Sequence, residues 1–152
     1  MNIVIGSDHA GFSLKEALKH YLHDRGVALT DVGPDTDKSV DYPDFAAAVA
    51  EKVSCGEFTR GILVCGSGVG MAIVANKYPA IRAALCLDAD TARMSRKHND
   101  TNILTLAGRR TDIDTAKNIA ATWLETEFEG GRHKRRLDKI QAIEKRAAKL
   151  PA

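Results

Sequence analysis

The chain has little of what most specialised architectures require. Cysteine occurs only as Cys55, Cys65 and Cys86. That odd count, at no metal-ligand spacing, argues against a disulfide framework and a metal site, and for reduced thiols. Aromatic residues make up 5% of the 152 positions, which leaves no stacking platform for a nucleic acid. No run approaches the roughly 20 apolar residues of a membrane span. The opening "MNIVIGSD" lacks a basic region followed by a cleavage site, so neither a signal peptide nor membrane attachment is expected, and the default location is cytoplasmic. There is no low-complexity linker and no internal repeat. The length suits one domain, residues 1–152, around a single core.

What is present is an alternation of strand and helix. Short apolar runs ending in turn residues predict strands at 2–8, 27–33, 61–66, 82–88 and 102–108. Between them, "SLKEALKHYLHDRG" carries Leu14, Ala17, Leu18 and Tyr21 at helical spacing with Gly26 as a stop. Further helices are predicted at 42–53, 70–78, 90–99, 112–128 and 131–149. Five apolar strands separated by helices predict an α/β domain: a three-layer, doubly wound, Rossmann-like parallel sheet with helices on both faces. The last helix bears Leu137, Ile140, Ile143, Ala147 and Leu150 after the sheet is complete. Such a stripe packs on its own sheet or on a neighbouring subunit, as in an isologous dimer. Residues 132–149 also hold eight Lys/Arg against two acids, leaving a net charge of −4 elsewhere. Either this is a solvated helix face or it is visited by something anionic.

Parallel sheets bind ligands beyond the carboxyl ends of their strands, and those ends carry chemistry here. "CGSGVG" follows the third strand. Its glycines let backbone N–H groups approach an anion at the start of a helix. The spacing is GxGxG rather than the dinucleotide GxGxxG, yet Asp88 lies about 20 residues on, where a ribose-binding acid would sit. A nucleotide-binding regulatory module is therefore the rival reading. Against it stand the loop's place on the third strand and the absence of a separate substrate domain. Cys65 is the last residue of its strand, beside N–H groups that favour a thiolate able to act as base or nucleophile. Cys86 reads as a core filler and Cys55 as structural. Asp8 and His9 end the first strand, where they suit binding hydroxyls and moving protons, though Ser7 or Asp8 could equally cap the next helix. His98, in the polar "SRKHNDTN", is a candidate acid/base group. His20 and His23 read as surface residues. Arg132 and Arg136, at i and i+4, can grip a phosphate bidentately. From spacing alone the set points to an enzyme acting on a phosphorylated small polyol.

"GSDHAGFSLKE", "DYPDFA", "GILVCGSGVGMAIVANKYPAIRAAL", "SRKHNDTNILTLAGR" and "EGGRHKRRLDKI", taken in order over nearly the whole chain, resemble the type B ribose-5-phosphate isomerases and their relatives acting on allose or galactose 6-phosphate. The resemblance implies interconversion of ribose 5-phosphate and ribulose 5-phosphate in the pentose phosphate pathway, without metal or cofactor. A 6-phosphohexose is the alternative substrate. It implies a homodimer with sites at the interface, sometimes paired into tetramers. By motif match, Cys65 would be the base between C1 and C2, and Ser67 would assist proton transfer at the oxygens. The Gly66–Gly70 amides, those of Gly66, Gly68, Val69 and Gly70 among them, would bind the enediolate. His98, from the partner subunit, would help open the furanose ring, with Asp8 beside the ring oxygen. His9, Arg109, Arg132 and Arg136 would hold the phosphate, and Tyr42, Asn99 and His133 would line the site. The sequence departs from the family's usual pattern at Ala80 and Ala107, where glycine is common, and Arg110 adds a second arginine beside Arg109.

Overall fold

The computed structural model describes residues 2–150. Five strands form one parallel sheet: β1 (Asn2–Ser7), β2 (Ala28–Asp31), β3 (Arg60–Cys65), β4 (Ala83–Leu85) and β5 (Ile103–Ala107), in the order β2-β1-β3-β5-β4. The helices are α1 (Phe12–Asp24), α2 (Tyr42–Ser54), α3 (Val69–Ala75), α4 (Ala89–Asn99), α5 (Ile113–Glu125) and α6 (Arg132–Ala147). Side chains alternate across the three central strands, so each face owns a core. Ile3, Ile5, Ile62, Val64, Leu104 and Leu106 meet α1, α4 and α5, with Trp123 fully buried among them. Val4, Leu63, Cys65 and Ile103 meet α2 and α3. The doubly wound three-layer architecture is thus the one expected.

The differences from expectation are local. β4 stops at Leu85, short of the predicted 82–88, because it pairs only with β5. Cys86 makes one last bond to the Thr105 carbonyl before the chain leaves the sheet edge. β2 is shorter than 27–33 because Val27 N–H closes the end of α1 on the Leu22 carbonyl. α3 starts one residue early and ends at Ala75, where the Asn76 side chain bridges the Ala72 carbonyl to both polar backbone groups of Ala83. α5 begins at Ile113, capped by Asp112, and ends at Glu125 as the chain turns extended at Thr126. The inner stripe of α1 is Leu14, Lys15, Leu18 and Leu22, rotated from the predicted face.

α6 stands apart. Within it only His133 is buried, and Ile140 and Ile143 are about half exposed. The helix leans on α4 and on the turn after Tyr78, where the Glu144 carboxylate accepts the Ala80 N–H at 3.0 and 3.1 Å.

Candidate active site

β3 ends at Cys65 and the chain turns at once into α3. Gly68 makes that turn possible, with φ of +76° and no room for a side chain: a Cβ would lie 2.5 Å from Leu85 Cδ1 and 3.0 Å from the Leu106 backbone. So folded, the Gly68 N–H donates to Cys65 Sγ at 3.1 Å and the Val69 N–H to Ser67 Oγ at 3.3 Å. Those two amides therefore face the loop's own side chains. Among the described residues the amides of Gly66 and Gly70 keep no such internal acceptor, so the expected five-residue cradle is narrower than its sequence suggested. Gly70 serves a second purpose. A Cβ there would sit 2.7 Å from the Tyr42 ring, so its absence lets the first side chain of α2 lie over the loop. From the other side the end of β5 is tied down by Gly108 N–H on the Cys65 carbonyl (2.7 Å) and Arg109 N–H on the Gly66 carbonyl (3.1 Å). That places the Arg109 side chain against Gly66.

Asp8 follows β1 and is 7% exposed. Its Oδ1 accepts the Gly11 N–H at 2.8 Å, so it closes the turn into α1 and leaves Oδ2 for other work. Asp8 thus braces the turn before α1 rather than capping it, since the N-cap is Gly11 with no side-chain bond. His9 Nδ1 lies 3.3 Å from the Val40 N–H. Asp8, His9, Tyr42, Cys65, Gly66, Ser67, Gly70, Arg109 and Arg110 line one open cavity. Both arginines of "GRR" border it.

The remaining expected residues lie elsewhere in the chain. α4 runs back across the sheet for about 16 Å, which carries His98 and Asn99 to the edge where strands begin. There they meet Arg132, His133 and Arg136 from the start of α6. The His98 and His133 rings stack, with centroids 4.2 Å apart and planes 8° from parallel. His133 is 3% exposed, and Arg132 Nε lies 3.4 Å from its Nε2. Burial, followed by the nearby His98 and Arg132, holds the His133 imidazole below its ordinary range, with Glu129 opposing and Arg136 adding to the effect. Glu129 was not singled out from the sequence. Its carboxylate and the two ring nitrogens lie within 4.8 Å of one another. They do not converge on a metal ion, because an ion bound by an imidazole lies in the ring plane and two stacked planes share no such point. The chain thus places two groups of polar side chains apart, one beyond the carboxyl ends of the central strands and one where α4 meets α6.

Asp88, the would-be ribose ligand, is engaged locally. It caps α4, accepting Thr91 N–H at 2.7 Å and Thr91 Oγ1–H at 3.1 Å, which removes the sequence argument for a dinucleotide. Cys86 is buried as expected, and burial pushes its thiol up to about 11. Cys55 is a correction: it is exposed at the end of α2, with no core to fill. His20 and His23 are surface residues.

The family model described as ribose/galactose isomerase matches residues 3–140. The chain belongs to the ribose/galactose isomerase family. It is 45% identical over 144 residues to ribose-5-phosphate isomerase B of Escherichia coli K12, covering 95% of this chain and 97% of that one. The solved ribose-5-phosphate isomerase B of Clostridium thermocellum superposes with a TM-score of 0.95 at 52% identity, covering 97% of this chain and 99% of the other. The Mycoplasma genitalium enzyme, solved with bound ribulose 5-phosphate, superposes with a TM-score of 0.91 at 42% identity, over 95% and 96% of the two chains. Coverage near both full lengths makes this a whole-domain member of the family. Among the described residues no helix is long and apolar enough to cross a membrane.

Proposed function

We propose that this protein interconverts ribose 5-phosphate and ribulose 5-phosphate by proton transfer through an enediolate, in a site completed by a second copy of the chain. The observation that carries the chemistry is the cavity itself, where a thiol oriented by a backbone N–H faces the same space as a carboxylate, a serine and two arginines. With the aldose open, the Cys65 thiolate removes the C2 proton. The electrons flow into a C1–C2 double bond, and negative charge develops on O1. Ser67 relays the proton between O2 and O1, and Cys65 returns its own to C1, giving the ketose. Fixed N–H donors facing the developing charge are worth about 10²–10³ in rate each; those of Gly66 and Gly70 are the ones left for it. Arg109 and His9 anchor the remote phosphate, which holds C1 and C2 against the base.

The second copy is supported by the separation of the half-sites and by an uncovered apolar surface beside the loop, where Val69, Ile73 and Leu87 are each about half exposed. A twofold pairing brings His98, Asn99, Arg132, His133 and Arg136 of one protomer to the Cys65 cavity of the other. Each site then has an imidazole for ring opening and a second pair of arginines for the phosphate.

The deciding experiment is an isomerase assay with ribose 5-phosphate beside allose 6-phosphate, on the wild type and Cys65→Ala. The pentose phosphate should turn over faster, without added metal or cofactor. The variant should lose about 10²–10⁴-fold in kcat while still binding the sugar phosphate. Near-normal turnover by Cys65→Ala would remove the thiol from its role.

A further inference from the structure

We propose that Glu129 is a positioning residue for the ring-opening imidazole, acting on His98 through the stacked His98–His133 pair. The inference rests on the reading of His98 given above. Glu129 opens the "EGGRHKRRLDKI" stretch, but the resemblance gave it no role; its placement does. The segment between α5 and α6 is drawn onto the end of α4 by the Glu129 N–H, which donates to the Lys97 carbonyl at 3.1 Å. Gly130 and Gly131 then turn the chain with φ of +69° and +53°, and the His133 N–H closes the turn on the Gly130 carbonyl at 3.0 Å. This compact turn sets the carboxylate, the buried His133 ring and the half-buried His98 ring within 4.8 Å of one another.

The charges facing the pair make the carboxylate matter. Arg132 and Arg136 face His133 from α6 and His98 faces it from α4, and all three oppose a proton on it; Glu129, from the connecting turn, favours one. Two stacked imidazoles cannot both be cationic at 4.2 Å without mutual repulsion. A proton on one ring therefore disfavours a proton on the other. Without Glu129, burial, His98 and the two guanidinium groups would act against a proton on His133 with no opposing charge among these neighbours. With it, the His133 ring keeps a carboxylate beside it and fixes the orientation of the His98 ring by stacking.

The test is Glu129→Gln, which keeps the size and the backbone bond to Lys97. Proton NMR titration should show the His133 ring resonances, assigned with a His133→Asn variant, moving about one pH unit lower. The imidazole limb of the kcat/KM profile should move with them, while KM away from that limb changes little and Glu129→Asp recovers part of the shift. Unmoved resonances, or moved resonances with an unmoved profile, would overturn the proposal. The parent reading fails separately: His98→Asn with full turnover would remove His98 from ring opening whatever the titration shows.

Discussion

At the scale of single residues, the loop after β3 shows how few atoms decide the chemistry. Gly68→Ala would need φ of +76° and a Cβ 2.5 Å from Leu85, so it would disturb the amide that orients the Cys65 sulphur. Ala80 is the converse case. It stands where relatives commonly have glycine, and it holds φ of +60°, a left-handed backbone that costs an L residue about 1–2 kcal/mol. Its N–H is held by both oxygens of Glu144, which is what keeps the turn in place. Ala80→Gly should therefore raise stability by roughly 0.5–1 kcal/mol after the extra chain entropy of glycine is subtracted. The check is a higher urea midpoint with an unchanged m-value; an unchanged or lower midpoint would show that the strain is relieved another way.

At the scale of elements, α1 and β2 are joined by an ion cluster. Lys15 is fully buried, and its Nζ donates to Asp31 Oδ2 at 2.7 Å and to the Pro34 carbonyl at 2.8 Å. Asp31 also pairs with Lys19 at 2.6 Å and accepts the Gly33 N–H at 2.8 Å. Burial works to raise the Asp31 pKa, but Lys15, Lys19 and Gly33 together outweigh it and hold the carboxyl below its reference 3.8. A depressed folded value means that this stabilisation is fully present above pH 3.8 and is lost as the pH falls through the folded value. Asp31→Asn leaves the buried Lys15 ammonium with Glu16 Oε1 at 3.3 Å and the Pro34 carbonyl, so it should cost up to about 3 kcal/mol at neutral pH. It should also flatten the fall of Tm with acid below about pH 4. Thermal melts of both proteins from neutral to acid pH give the comparison; parallel acid limbs would show that Asp31 is not the titrating group.

The same elements show what the sequence made legible. Strand and helix alternate visibly because parallel strands buried on both faces are continuous apolar runs, and the strand ends bearing Asp8, Cys65 and Arg109 could be read as ligand-facing before any geometry was known. Lys15 was missed because it interrupts an apolar stripe; its spacing to Leu18 and Leu22, i+3 and i+7, was the available signal. The length of β4 depended on its being an edge strand, a tertiary fact. Glu129 stood at the head of the "EGGRHKRRLDKI" stretch with no role to read, since its meaning arises only when the turn before α6 folds onto α4. The pairing of His98 with His133 was hidden for the same reason.

At the scale of the whole molecule, the proposed site divides each chain into a thiol half beyond the carboxyl ends of the central strands and an imidazole–arginine half where α4 meets α6. In a twofold dimer of this design the two sites draw on complementary halves of both protomers. Cys65→Ala and His98→Asn should each be nearly inactive alone. In a mixed dimer, however, both defects fall into one site and the other is assembled wholly from native residues. Unfolding the two dead proteins together and refolding them should return up to about a quarter of native activity, the share expected from random pairing. Mixing without subunit exchange should return none. In such a dimer activity is a property of the pair, so two individually broken copies can restore what neither encodes intact.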